Sequence, residues 1–532
     1  MIQCVHIHNY KIFEDFWLNL NDDLNIVVGD NEAGKSTILE AMGLALTRRL
    51  NGKQLDYELS PYLFNQKVAN NFIQSLKSGK KLEPPKILIE LYLSDKAELQ
   101  YLKGTVNAKK TDCVGVKLEV IFNQEYVAEY EQLIANPEQI RVIPTEYFKV
   151  NWYSFADNAI TPRSLPIGLS YIDATTIRLQ NGTDYYLNNI INSELDPKER
   201  VALSVAYRGL KEEFSDLDSI KDINAKLTQK KGAITDKDLA IAIDISQKSN
   251  WETNLVPHLD ELPFQLVGKG EQNALKIMLA LERQAESSQV ILIEEPENHL
   301  SFSSMNKLIK QIKDKCDGKQ IFITTHSAYV LNKLGIEKLI CLHNNKTASL
   351  KDLPKDTQDY FVKLSGYDTL RLVLAKKAIL VEGPSDELLV QKAYRLKHSN
   401  RLPIDDGIDV INVRGLSFAR FLDIAKELEK EVVVVTDNDG DYQHKVVEKY
   451  QPYDGISTIT ICASDDDTAE TLEPQIVKCN SLDVLNQVFD TSYPNLQALT
   501  KYMTDNKTDW ALAFFNTQET VGIPQYVQDA VA

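Results

Sequence analysis

Two acidic clusters, Glu382-Gly383-Pro384-Ser385-Asp386 and Asp437-Asn438-Asp439, each follow a run of strand-forming residues, Ala378–Val381 and Val432–Thr436. A strand that ends in a carboxylate carries that carboxylate to the edge of a sheet. Two such strands side by side gather Glu382, Asp386, Asp437 and Asp439 in one place. Like charge at that density is costly unless cations share the site. Ligands that are all oxygen suit Mg²⁺ or Mn²⁺, and such a centre can hydrolyse phosphodiesters. Each cluster alone also reads as a helix cap or a polar turn. Their pairing behind two apolar runs favours the metal.

A second chemistry lies near the N-terminus. Gly29-Asp30-Asn31-Glu32-Ala33-Gly34-Lys35-Ser36-Thr37 has the spacing of a phosphate-binding loop between a strand and a helix. Gly29 and Gly34 allow close backbone approach, with Asn31 and Thr37 completing the cradle at the helix N-terminus. Lys35 is placed to reach the β- and γ-phosphates of ATP and Ser36 to ligate Mg²⁺. Val290-Ile291-Leu292-Ile293-Glu294-Glu295-Pro296 resembles the Walker B strand of ABC-type ATPases, with Glu294 supporting Mg²⁺ and Glu295 polarising the attacking water. Thr324-Thr325-His326-Ser327 resembles the switch histidine of those ATPases, and Gly268-Lys269-Gly270-Glu271-Gln272 a degenerate form of their signature. That signature caps ATP from an opposite subunit, so the resemblance implies at least a homodimer.

The elements that must position these residues follow from periodicity. Ile2–His8 and Phe13–Leu20 alternate as strands, Leu24–Val28 is a short buried strand, and Lys35–Leu50 has a helical period. Ile87–Leu93 and Val116–Phe122 are further strands. Residues 170–250 read as mostly helical. An α/β pattern resumes with strands at Val290–Ile293 and Gln320–Thr324, and a second α/β unit starts near Lys376. The expected domains are 1–165, the ATPase part with the phosphate loop; 166–255, a helical insertion suited to dimerisation; 256–370, the ATPase part with signature, Walker B strand and switch histidine; and 371–532, the metal-binding α/β domain.

Bulk properties narrow the class. Net charge is −17, from 59 Lys+Arg against 76 Asp+Glu, which argues against a general DNA-coating role. Six scattered cysteines without a CxxC pair read as reduced thiols in a cytoplasmic protein. The N-terminus lacks the pattern of a signal peptide, and no apolar run approaches the ~20 residues that span a bilayer, so no membrane partner is expected.

A Glu-Gly turn after one strand, a glycine turn after Val410–Val413, then an Asp-x-Asp after a later strand resembles the Toprim domain. An ABC-type ATPase head with a helical insertion, followed by a Toprim α/β domain, resembles the overcoming-lysogenisation-defect (OLD) nuclease family. That resemblance implies an ATP-binding DNA endonuclease using a two-metal mechanism. It implies a further metal ligand at Glu473 in Thr471-Leu472-Glu473-Pro474, and a lysine at the scissile phosphate, Lys507 in Lys507-Thr508-Asp509-Trp510. The sequence departs from the family at Asp386, where Glu is common. Some members act in anti-phage defence beside a helicase-like protein, as in Gabija, or beside a reverse transcriptase with its retron RNA–DNA. Two other readings compete: an SMC-like ATPase of DNA repair without nuclease activity, disfavoured by the absence of long heptad arms, and a Toprim topoisomerase or primase.

Overall fold

The computed structural model describes residues 1–532 apart from 30–31, 81, 163, 174–178, 181–182, 185–194, 230–236, 245–250, 252–255, 283–288, 315–317, 344–345, 352, 364–368 and 415–416. The chain divides into two compact units, Met1–Pro166 with Phe322–Ala532, and Ile167–Ile321.

In the first unit an antiparallel sheet forms from alternating sequence. Ile2–Tyr10 pairs with Phe13–Asn19 on one side and Ile87–Leu93 on the other. Cys113–Phe122 and then Phe148–Ser154 extend it. Leu24–Gly29 is buried at every position, as a strand covered on both faces must be. It runs parallel to Leu339–His343, which turns back through Lys346–Ser349. The helix Lys35–Thr47 is buried on nearly all sides, and Trp152 Nε1 donates to its Ala45 carbonyl at 2.8 Å. It stops at Thr47 rather than at Leu50, because Arg48 turns left-handed at φ 56° and its N–H donates back to Leu44 at 2.7 Å.

The same unit holds a four-stranded all-parallel sheet in the order Ile408–Asn412, Lys377–Val381, Glu431–Val435, Ile459–Cys462. Its apolar runs pack on the helix Pro384–Lys397 and on the C-terminal helices Lys507–Asn516 and Gln525–Ala530. Ile379, Val433, Val390, Trp510, Phe514 and Val527 share that core. The helix Lys355–Lys363 docks on Phe418–Glu427. There the fully buried Thr357 donates to Asp423 at 2.8 Å and accepts from Arg420 at 2.7 Å, with Phe361 edge-on to Phe421.

In the second unit Leu169–Asp173 runs parallel to Val290–Glu294. This strand lies inside the stretch read from sequence as mostly helical. Its five residues are too few for a helical period to register against the strand signal. The helices Pro197–Asp216 and Asp218–Thr228 follow, the first closed by a capping box between Asp196 and Glu199. Among the described residues the cysteines form no disulfide, and no helix is long and apolar enough to cross a membrane.

Candidate metal and nucleotide sites

Val381 pairs in register with Val435, so the residues after each leave the sheet at one edge. The Thr436 hydroxyl donates to Glu382 Oε1 at 2.6 Å, and the Asp437 N–H donates to the same oxygen at 3.1 Å. The second strand thereby aims the carboxylate of the first. Asp386 sits one helical turn on, where its Oδ2 accepts the Gly383 N–H at 3.0 Å. It caps the helix as acids do and faces the other carboxylates as well.

The electrostatics show that these groups act on one another. Burial, then the charges of Asp386, Glu382, Glu473 and Asp439, push Asp437 up to about 8. Burial, then Glu382 and Glu473, push Asp386 up to about 7, against the pull of its backbone hydrogen bonds. Glu473, only 2% exposed, accepts from the Thr471 hydroxyl at 3.1 Å. Lys507 Nζ stands 3.8 Å from Glu473 Oε1, and the Lys507 carbonyl accepts from the Ser385 hydroxyl at 3.0 Å. Glu382, Asp386, Asp437, Asp439, Glu473 and Lys507 therefore share one neighbourhood, although 125 residues of sequence separate the first from the last. The ligand atoms are all oxygen and mutually repelling, and burial and then neighbouring acids push two of the carboxyls up to about 7 and 8. That set fits a hard dication and no soft one.

Three residues of this site escape a reading by spacing. Asn438, 1% exposed, donates through Nδ2 to the Ser464 and Asp466 carbonyls at 2.9 and 3.0 Å. Its own Oδ1 accepts the Gly440 N–H at 3.0 Å. It thus clamps the loop that presents exposed Asp439, whose left-handed backbone (φ 48°) donates to Glu470 O at 3.1 Å. Thr436 steers Glu382 from inside an apolar run. The phenol of Tyr526, from the last helix, is buried facing Asp437, Asp386 and Glu382, and it is pushed well above its ordinary range, so it stays a protonated donor.

In the phosphate loop, a Cβ on Gly29 would meet the Leu342 carbonyl at 2.5 Å. Gly34 adopts φ 101°, where side chains are strained, and a Cβ there would meet Ile12 and Phe13 at 2.5 and 2.6 Å. Lys35 Nζ donates to the Gly29 carbonyl at 2.9 Å, folding the lysine over the loop. Ser36 is exposed and Thr37 buried; Asn31 lies outside the described residues. Thr325 N–H donates to Val27 O at 3.3 Å, which places exposed His326 at the same end of that sheet as the loop. Ser327 caps the helix Ala328–Leu334.

Within the second unit, buried Glu294 lies level with Asp173. Glu295 has φ 45° and accepts from Asn298 Nδ2 at 2.7 Å. Gly270 lies against the turn beyond these acids, for a Cβ on it would meet the His299 carbonyl at 2.2 Å. The Gly268 carbonyl accepts the Gln272 N–H at 3.0 Å. Gln272 itself is buried, its amide donating to Phe264 O at 2.9 Å and Val267 O at 2.7 Å, and so holds the turn that precedes its helix.

Comparisons with known proteins match two parts of the chain. The AAA ATPase domain model matches residues 1–331, and the overcoming lysogenization defect protein-like TOPRIM domain model matches residues 373–439. The chain is 22% identical over 464 residues to Endonuclease GajA of Bacillus cereus (strain VD045), covering 82% of this chain and 74% of that one. It is 24% identical to an ATP/GTP phosphatase of Helicobacter pylori, covering 62% and 85%. Among solved structures, the C-terminal region of the Burkholderia pseudomallei OLD protein is 20% identical, covering 30% of this chain and 96% of that one, with a TM-score of 0.24.

Proposed function

We propose that this chain, which belongs to the AAA ATPase domain family and carries an OLD-like TOPRIM domain behind its ATPase part, is a divalent-metal-dependent DNA endonuclease under nucleotide control. The fold class is that expected from the sequence, an ABC-type head followed by a Toprim α/β domain. The observation that carries the functional reading is the carboxylate edge. Five acids converge there from two parallel strands and two helices, and burial, with the neighbouring acids behind it, holds Asp437 near 8 and Asp386 near 7. Acids raised together by burial and by one another mark a functional site, and a set made only of oxygen suits a dication.

Glu382, Asp386, Asp437, Asp439 and Glu473 would hold Mg²⁺ or Mn²⁺, which supplies Lewis acidity to the phosphate and a more acidic bound water, as a pair in the two-metal reading. The chain's own groups do the rest. Thr436 and the Asp437 N–H fix the Glu382 rotamer, and Asn438 fixes the loop that carries Asp439. Lys507 offers its ammonium to the negative charge that grows on the phosphate. Its distance from Glu473 keeps it poised rather than locked in a tight ion pair. Gly29, Gly34, Lys35 and Ser36 bind ATP with Mg²⁺, and His326 senses its γ-phosphate; in the other unit Glu294 and Glu295 keep the Walker B roles and the Gly268–Gln272 turn the signature role that the resemblance implies. DNA is the substrate, a homo-oligomer the working form, and the cytoplasm the setting. The likeness to an endonuclease supports the cleavage reading; the role proposed with it, from the resemblance to the OLD family, is that of an effector of anti-phage defence, acting with a helicase-like protein or a reverse transcriptase and its RNA–DNA product.

Plasmid cleavage with Mg²⁺ or Mn²⁺, with and without ATP, tests this directly. Asp437→Ala should abolish cutting, and cleavage that persists in that variant would sink the Toprim assignment. Lys35→Ala should lose ATP binding and the effect of ATP on cleavage while the metal site survives. Unaltered nucleotide binding would contradict the role of the loop.

A further inference from the structure

The N-terminal antiparallel sheet carries a cluster of nitrogen and oxygen donors apart from both sites. The register sets His8 opposite Asp15, and His6 opposite Trp17 on one side and Glu90 on the other. Residues two apart on a strand share a face, so His6, His8, Asp15, Trp17 and Glu90 stand together. Glu90 is 1% exposed. It faces His6 Nδ1 at 2.9 Å and accepts from the Tyr92 hydroxyl and the Ala108 N–H, each at 2.9 Å. With so many donors turned on it, Glu90 is the acceptor and Nδ1 carries the proton.

The other ring nitrogen then meets Asp15. His6 Nε2 lies 2.7 Å from Asp15 Oδ1, and two lone pairs facing one another at that distance repel unless a cation lies between. A proton is the smaller answer. A third donor favours a larger one, because His8 Nδ1 stands 3.8 Å from the same Asp15 oxygen. That is too long for a hydrogen bond; ligands in a tetrahedron with bonds of ~2.0–2.1 Å stand ~3.3 Å apart, so seating an ion opens the 2.7 Å His6–Asp15 pair and closes the 3.8 Å His8–Asp15 pair by about half an ångström each. All three donor atoms lie within 4.8 Å of one another. Trp17 stacks on His6 at 3.9 Å and 8°, which fixes the ring. Asp15 is 59% exposed, which leaves an ion a way in.

We propose that His6 Nε2, His8 Nδ1 and Asp15 form a binding site for a transition-metal dication of the Zn²⁺ class, with Glu90 as the outer carboxylate that orients His6. A buried carboxylate behind a ligating imidazole is the usual partner of such sites, and nitrogen donors separate this site from the all-oxygen edge of the Toprim domain. Ligation moves the His8 ring proton to Nε2, so Asn9 Nδ2, now 3.0 Å from Nε2 and from the Lys86 carbonyl, keeps only the second contact. The bound ion staples the hairpin whose Ile12, in the turn, and Phe13, at the start of the second strand, abut Gly34 of the phosphate loop.

Titration of the full chain with Zn²⁺ and Co²⁺ tests the site, in an Asp437→Ala background that weakens metal binding at the Toprim edge. We expect one Zn²⁺ to bind, visible Co²⁺ bands of four-coordinate nitrogen–oxygen type that Zn²⁺ bleaches, and a rise in the unfolding temperature. His8→Ala and Asp15→Asn change partly exposed side chains and leave buried His6 in place. Circular dichroism checks that both fold, and each should weaken Zn²⁺ binding about ten-fold or more. Failure of the parent to bind Zn²⁺, or equal binding by the parent and both variants, overturns the proposal.

Discussion

Metal binding at the Toprim edge should release protons, and the number is set by the structure. Asp437 is held at about 8 and Asp386 at about 7, chiefly by burial and by neighbouring acids. A dication binds their ionised forms, so each proton still present must leave. At pH 7 a group titrating at 8 is about nine-tenths protonated and one titrating at 7 about half, so the pair gives up about 1.4 protons per site filled. The figure rises to about two at pH 6 and falls to about zero at pH 9. The removal costs about 2 kcal/mol at pH 7, so affinity should rise about ten-fold or more from pH 7 to pH 9. Calorimetry with Mn²⁺ in buffers of different ionisation enthalpy counts those protons directly. Zero release at pH 7, with affinity flat from pH 6 to 9, would refute the argument that these acids crowd one another. Asp437→Asn should cut the release at pH 7 to about half a proton, because Asp386, raised by burial, Glu382 and Glu473, keeps its own.

The remaining predictions concern stability, the loops and coupling. Because both carboxyls titrate above their unfolded value of 3.8, the native metal-free protein binds more protons than the unfolded chain between about pH 4 and pH 8. Their contribution to stability therefore falls as pH rises through that window; Asp437→Asn should flatten the decline and raise the unfolding temperature at pH 8, and parallel melting curves would contradict this. Asn438→Ala strips the half-buried Ser464 and Asp466 carbonyls of their donor, a loss of about 1 kcal/mol by denaturant unfolding, and cleavage should fall steeply while Asp437 and Glu382 remain. Gly34→Ala forces an alanine into φ 101° against Ile12 and Phe13, so binding of a fluorescent ATP analogue should weaken at least about ten-fold, a loss of about 1.4 kcal/mol, with metal-driven proton release intact. Thr357→Val breaks the hydroxyl bridge between Asp423 and Arg420; cleavage without nucleotide should persist while the effect of ATP on it shrinks, and an unchanged ATP effect would remove this contact from the coupling.

What the sequence disclosed and what it hid divide along one physical line. Glu382 and Asp437 are legible because a short β-branched run followed by an acid needs no distant information: the run makes the strand, and the strand end presents the acid. The glycine loop is legible for the same reason, since Gly34 is required by its own backbone angle. The strand Leu169–Asp173 was obscured because its partner Val290–Glu294 lies more than a hundred residues on, and local periodicity carries no trace of that pairing. Asn438, Thr436 and Tyr526 are hidden for a related reason. Asn438 between two aspartates reads as turn chemistry, and only the fold brings the Ser464 and Asp466 carbonyls to its amide. Tyr526 stands out from the 23 tyrosines of the chain only once the last helix packs against the sheet. Ligands are written locally because a carboxylate binds metal wherever it stands. The groups that aim those ligands depend on packing, so they emerge with the tertiary structure. By this reasoning the acids set whether the edge binds a dication, and Asn438, Thr436 and Tyr526 set how tightly its geometry is held.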